Sequence, residues 1–218
     1  MITATSLTKR YRRVAAVDDV TFSCEPGTIT GFLGRNGAGK STTLRMIAGL
    51  TRPDAGCATV AGKPFAQLPN PARTVGTLLD AAALHDGRTG RETLQIACTV
   101  TGLPKARASH LLDAVGLSGD ANRRVGTYSL GMRQRLGLAH ALVGEPSVLI
   151  LDEPANGLDP EGSAWIRTLL RDFADRGGTV LLSSHLLAEV QATADHLVII
   201  DHGSVVASGT QASLLAEK

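Results

Sequence analysis

Gly34-Arg35-Asn36-Gly37-Ala38-Gly39-Lys40-Ser41-Thr42 follows the apolar run Ile29–Leu33 and fits the spacing G-x-x-x-x-G-K-[ST]. An apolar strand that breaks into glycines and resumes as a helix is the layout of a phosphate-binding loop. Gly34, Gly37 and Gly39 lack a Cβ, so the backbone can turn tightly and aim successive N–H groups at one anion. Arg35, Asn36 and Ala38 complete the loop. Lys40 would reach the β- and γ-phosphates, and the Ser41 hydroxyl would ligate Mg²⁺. Residues 41–49 read as a helix whose N-terminus faces the anion with about half a positive charge. The loop implies ATP or GTP held through its phosphates, and by itself leaves the purpose open.

Composition narrows the choices. The chain has 218 residues, a common size for one α/β domain, and 43% are hydrophobic while only 3% are aromatic, so the core should be aliphatic. A net charge of +2 is too small to argue for nucleic acid, and the basic cluster at residues 9–13 does not make a groove. Cys24, Cys57 and Cys98 are widely spaced and read as reduced, small core residues of a cytoplasmic protein. The longest apolar runs are far short of the roughly 18 residues that cross a bilayer, and the N-terminus lacks a signal-peptide core. The expectation is a soluble chain that works on a membrane only through a partner.

Strand-like segments at 2–7, 17–24, 28–33, 57–61 and 75–79 make the first third β-rich. A helical pattern begins at Thr89, which with Glu92 forms a capping-box pair. Pro104 fits a first-turn proline, with Leu111, Leu112 and Val115 at helical spacing behind it. Residues 81–127 read as a mainly helical insert, and 1–80 with 128–218 as the nucleotide-binding core of a single domain. Val148–Leu151 and residues 179–183 and 197–200 are short apolar runs suited to strands buried on both faces. Helices between them imply right-handed crossovers and a mostly parallel sheet. Gly203 divides a terminal hairpin, and residues 210–216 close as a short helix.

The second chemical element is Asp152-Glu153, two carboxylates at the end of a buried strand, where ligands sit in open α/β sheets. Asp152 would hold Mg²⁺ directly or through water, and Glu153 would polarise the water attacking the γ-phosphate. Ser129 is a good N-cap for a helix running to Leu142. It could also present a phosphate-binding helix end, which is surplus unless it serves another nucleotide.

Together these segments resemble the nucleotide-binding domain of an ATP-binding cassette (ABC) protein over nearly the whole chain. The family's signature LSGGQ is similar to Tyr128-Ser129-Leu130-Gly131-Met132, with Leu130 and Met132 departing from it and Arg133-Gln134-Arg135 following as expected. The resemblance implies that Ser129, Leu130, Gly131 and Met132 complete the ATP site of a facing subunit, giving a head-to-tail dimer, homomeric or heteromeric, with two interfacial nucleotides. Tyr11 resembles the aromatic that stacks on adenine, the alternative being a strand-edge Tyr. Asn156-Gly157-Leu158-Asp159 looks like the D-loop, although Asp159-Pro160 also makes a good helix start. His185 resembles the switch histidine that contacts the γ-phosphate.

Asp80 stands where the family usually places Gln. It is shorter and anionic, so it would approach Mg²⁺ only through water, and structural capping is the competing role. The resemblance implies an ATPase subunit using ATP and Mg²⁺ to drive a separate transmembrane permease from the cytoplasmic face of the cell membrane. The stretch around His85 and Arg88–Glu92, and the lack of a C-terminal regulatory extension, resemble drug or antibiotic exporters more than nutrient importers. A soluble non-transport ABC ATPase and a regulatory nucleotide-binding module are the competing functions.

Overall fold

The computed structural model describes residues 1–216. Strands β1 (Ile2–Tyr11) and β2 (Val14–Cys24) pair as a long antiparallel hairpin, and β3 (Ile29–Leu33) leads into helix α1 (Lys40–Ile47). Next come β4 (Ala55–Val60), a short helix α2 (Pro71–Thr74) and β5 (Val75–Leu78). Helices α3 (Gly90–Thr101), α4 (Arg107–Ala114) and α5 (Leu130–Leu142) follow, then β6 (Val148–Leu151), α6 (Pro160–Asp175), β7 (Thr179–Ser184) and α7 (Leu187–Gln191). A hairpin of β8 (His196–Asp201) and β9 (Ser204–Thr210) and helix α8 (Gln211–Ala216) end the described chain.

Two sheets result. The larger runs β5-β6-β7-β3-β8-β9, parallel except for the β8–β9 hairpin, and the smaller is the antiparallel β2-β1-β4. Every residue of β6 and β7 is buried, as expected of strands covered on both faces. Helix α1 lies between the sheets. Its Leu44 and Ile47 join Phe32 of β3, Ile150 of β6 and Ile2, Leu7 and Phe22 of the small sheet in one core cluster. On the opposite face, Leu149, Leu151, Val180 and Leu182 pack against Leu138 of α5 and Ile166, Leu170 and Phe173 of α6. Each such aliphatic side chain contributes about 1.5–3 kcal/mol by leaving water.

Thr89 and Glu92 do form the capping box expected at the start of α3, each side chain bonded to the other's backbone N–H. The helical cluster built on Leu94, Cys98, Leu111 and Leu112 extends into α5 through Leu136 and Ala139, and to Val143 just after it. Helix α5 therefore belongs to both packing units. Trp165 of α6 packs at the same junction, touching both clusters, with the Arg135 guanidinium 4.6 Å from its ring centroid. Among the described residues, no helix is long and apolar enough to cross a membrane.

Several local expectations need correction. Helix α4 starts at Arg107 after an N-cap at Ala106, so Pro104 precedes the helix and does not occupy its first turn. Cys24 and Cys98 are buried, but Cys57 is exposed because β4 is an edge strand with one open face. The first hairpin extends past both strand estimates, to Tyr11 and Val14. The range 128–218 assigned to the core includes residues 217 and 218, which lie outside the described residues.

Candidate functional site

The strands β3, β5, β6 and β7 run parallel, so their C-terminal ends share one edge of the sheet. A cavity of about 400 Å³ opens there, lined by the loop after β3, by Asp152 and Glu153 after β6, and by Asp80 after β5. The loop glycines are enforced by close packing. A Cβ on Gly34 would lie 2.5 Å from the Ile200 carbonyl oxygen, and one on Gly39 would lie 2.4 Å from that of Ala16. Gly37 has open space around it, and its φ of 84° is the reason for glycine there. Asn36, Gly37, Gly39, Lys40, Ser41 and Thr42 face the cavity. Gly34 and Arg35 act from behind, and Ala38 is buried against the core.

Helix α1 has no side-chain cap and no acid in its first turn. Its first N–H groups have no intrahelical acceptor, and with the helix dipole they offer a place for an anion. Lys40 is only 5% exposed, and its Nζ donates to the carbonyls of Gly34 at 2.6 Å and Arg35 at 3.3 Å. The same ammonium lies 3.3 Å from Oε1 of Glu153. The loop is folded around its own lysine.

Glu153 is held on several sides. Its φ of 49° is left-handed, a conformation a non-glycine residue keeps only under constraint. Its N–H donates to Oγ of Ser183 at 3.0 Å, and the Ser183 hydroxyl donates to Oδ1 of Asp152. Oε2 of Glu153 accepts from Nδ1 of His185 at 2.7 Å. Lys40 and His185, distant in sequence, thus meet on the Glu153 carboxylate, and Ser183 ties the neighbouring Asp152 to the Glu153 backbone.

The other candidates are placed less uniformly. Ser129 caps α5 by accepting from the Met132 N–H at 3.2 Å, and neither Ser129, Gly131 nor Met132 lines the cavity. Leu130 does line it, although its side chain is 51% exposed and packs on Gly157. Asp159 caps α6, accepting from the Gly162 N–H at 2.7 Å. Asp80 caps the turn that follows it, accepting from the Ala82 N–H at 2.8 Å, and it lines both this cavity and a neighbouring groove. Tyr11 sits at the hairpin tip, 48% exposed with Lys9 Nζ 5.7 Å from its ring centroid, and does not line the cavity, whereas Ala16 does.

Sequence reasoning passed over Ser183 and Gln134. Ser183 links the two carboxylate residues, and Gln134 of α5 donates to the carbonyls of Glu153 and Asn156. The signal for Ser183 was a small hydroxyl closing an otherwise apolar buried strand. Gln134 enters the sequence reading only as part of the Arg-Gln-Arg expected after the signature, and nothing local points to its contact with the turn at Glu153.

The family model described as ABC transporter matches residues 17–156. The bacitracin transport ATP-binding protein BcrA of Bacillus licheniformis is 41% identical over 94% of this chain and 68% of its own length. The daunorubicin/doxorubicin resistance ATP-binding protein DrrA of Streptomyces peucetius is 40% identical, covering 98% of this chain and 66% of its own. The chain thus spans about two thirds of the length of either relative. A solved ATP-binding subunit of an ABC transporter superposes with a TM-score of 0.90 at 30% identity, over 100% of this chain and 92% of that one. The architecture, the phosphate-binding loop and these likenesses agree: the chain belongs to the ABC transporter family, as an ATP-binding subunit that hydrolyses ATP.

Proposed function

We propose that this chain powers a separate transmembrane permease that exports its cargo, and that hydrolysis runs through Lys40, Asp152, Glu153 and His185. The observation that carries the catalytic reading is that the Glu153 carboxylate meets Lys40 and His185 at the edge of the parallel sheet, while Ser183 ties the Asp152 carboxylate to the Glu153 backbone N–H. A triphosphate seated on residues 34–42 takes up the charge of Lys40 and frees Oε1 of Glu153 from its ion pair. The carboxylate then polarises the water that attacks the γ-phosphate. His185 donates through Nδ1 to Glu153, which leaves Nε2 as the ring nitrogen available to a phosphate oxygen.

Ser41 and Asp152 line the same cavity, and one hydroxyl with one carboxylate suits Mg²⁺, which takes its other oxygens from phosphates and water. Mg²⁺ bound there would neutralise charge building on the transferred group. Tyr11, at the hairpin tip, is the candidate for adenine.

Ser129, Leu130, Gly131 and Met132, with Asp159 nearby, are assigned to a facing cassette's nucleotide, two ATP molecules being shared between two chains. The groove of about 570 Å³ between α3, α5 and β5, bordered by Leu50, Leu84, Ile96 and Asp80, is the candidate docking place for a cytoplasmic segment of the permease. The names of the relatives, one for bacitracin transport and one for drug resistance, support export. The chain would then work at the cytoplasmic face of the membrane without nucleic acid.

Expression with a membrane protein encoded beside it tests the assignment. The two should co-purify, and Glu153→Gln should bind ATP normally while hydrolysing it about a hundredfold more slowly, in keeping with loss of a positioned base. Full hydrolysis by that variant would remove Glu153 from the mechanism.

A further inference from the structure

Gln134 lies about one turn into α5, is 7% exposed, and lines the cavity beside Lys40, Asp152 and Glu153. Its Nε2 is 3.3 Å from the carbonyl oxygens of both Glu153 and Asn156. Only the NH₂ of a side-chain amide donates, so those two carbonyls fix the amide's orientation and turn Oε1 away from them. Oε1 is the buried side-chain atom without a hydrogen-bond partner among the described residues. Buried acceptors are rarely left open, so the amide is held where the turn needs its donors and not where both of its ends are satisfied.

The turn it grips is the one that shapes the catalytic carboxylate. Residues 153–156 close through the Asn156 N–H on the Glu153 carbonyl at 3.1 Å, with Glu153 itself at φ 49°. Ser183 of β7 holds the N–H of Glu153, and Gln134 of α5 holds its carbonyl. Leu130 packs on Gly157 and Arg135 on Trp165, so one face of α5 bears on the whole segment from the turn to α6.

We propose that Gln134 is a positioning residue that keeps the left-handed turn formed, and with it the Glu153 carboxylate between Lys40 and His185. This rests on the reading of Glu153 as the group that polarises the attacking water. Because α5 also carries Leu136 and Ala139 of the helical cluster, Gln134 ties the helical part of the chain to the catalytic carboxylate without passing through Asp80.

The test uses the full chain, with ATP affinity and steady-state hydrolysis measured for Gln134→Leu, Gln134→Glu, Glu153→Gln and the Leu/Gln double variant. Gln134→Leu should lower kcat about 10- to 100-fold, the scale of a small misplacement of a catalytic group, with nucleotide affinity within about threefold of wild type. The double variant should be no slower than Glu153→Gln alone, since two residues acting as a unit are not additive. Gln134→Glu keeps the shape but sets a carboxylate against two carbonyls, so its activity relative to wild type should rise as pH falls and the protonated acid regains a donor. If Gln134→Leu does not fold, the pH dependence of Gln134→Glu decides alone.

Unchanged kcat for Gln134→Leu, or its full effect persisting on the Glu153→Gln background, overturns the proposal. A Gln134→Glu variant equal to wild type at every pH does so too, because it would mean that shape alone matters. Rapid hydrolysis by Glu153→Gln would instead overturn the reading of Glu153 on which the proposal stands, and that single variant tells the two failures apart.

Discussion

Two helix starts in this chain are proposed to meet phosphates, and they are finished in different ways. At residues 34–42 the loop is moulded from within. Backbone from β2 and β8 presses on its glycines, Lys40 is buried beneath it, and α1 is left without a side-chain cap. At residues 129–132 the helix caps itself through Ser129, Leu130 is half exposed, and a Cβ on Gly131 would touch nothing nearer than 3.4 Å. The first start is shaped for a ligand held by its own chain. The second is capped by its own Ser129, and of its residues 129–132 only Leu130 borders the cavity.

Lys40→Ala is the harshest challenge to that contrast. Loss of a charge-assisted contact of about 1.5–3 kcal/mol should weaken ATP binding by the isolated chain roughly 10- to 100-fold, readable by calorimetry. Unaltered affinity would mean that the inner start is not the anchor. Ser129→Arg should do the reverse, leaving the isolated chain's affinity for ATP intact while hydrolysis drops about a hundredfold, as for loss of one positioned donor. Equal damage to both quantities would place Ser129 within its own chain's site and dissolve the distinction. The mildest change is Leu130→Ala. A half-exposed leucine packed on Gly157 is worth about 1 kcal/mol, so a melting curve should shift down about 2–4 °C.

The inner start was legible in the sequence because its demands are local: fixed glycines, a lysine and a hydroxyl at set spacing between an apolar run and a helix. Asp152 and Glu153 were legible for a similar reason, closing the four apolar residues of a buried strand. Tyr11 was less so. Residue type suggested adenine stacking, but the extent of the hairpin decides where the ring goes, and β1 runs on to Tyr11 before turning. Gln134 and Ser183 were hidden because they meet Glu153 across 19 and 30 residues of chain, from a helix and a strand whose local patterns read as ordinary. The exposure of Cys57 likewise follows from strand order, which its neighbours in sequence do not encode.

Trp165 is the chain's single tryptophan, and it sits where α5 meets α6 with the Arg135 guanidinium over its ring. Its emission is therefore a label-free optical signal from one known joint. A shift of α5 against α6 changes the distance between that ring and its cation, whichever movement brings it about. Intensity recorded during ATP addition reads the coupling between the helical cluster and the catalytic sheet in real time, with no dye attached and no background from a second indole.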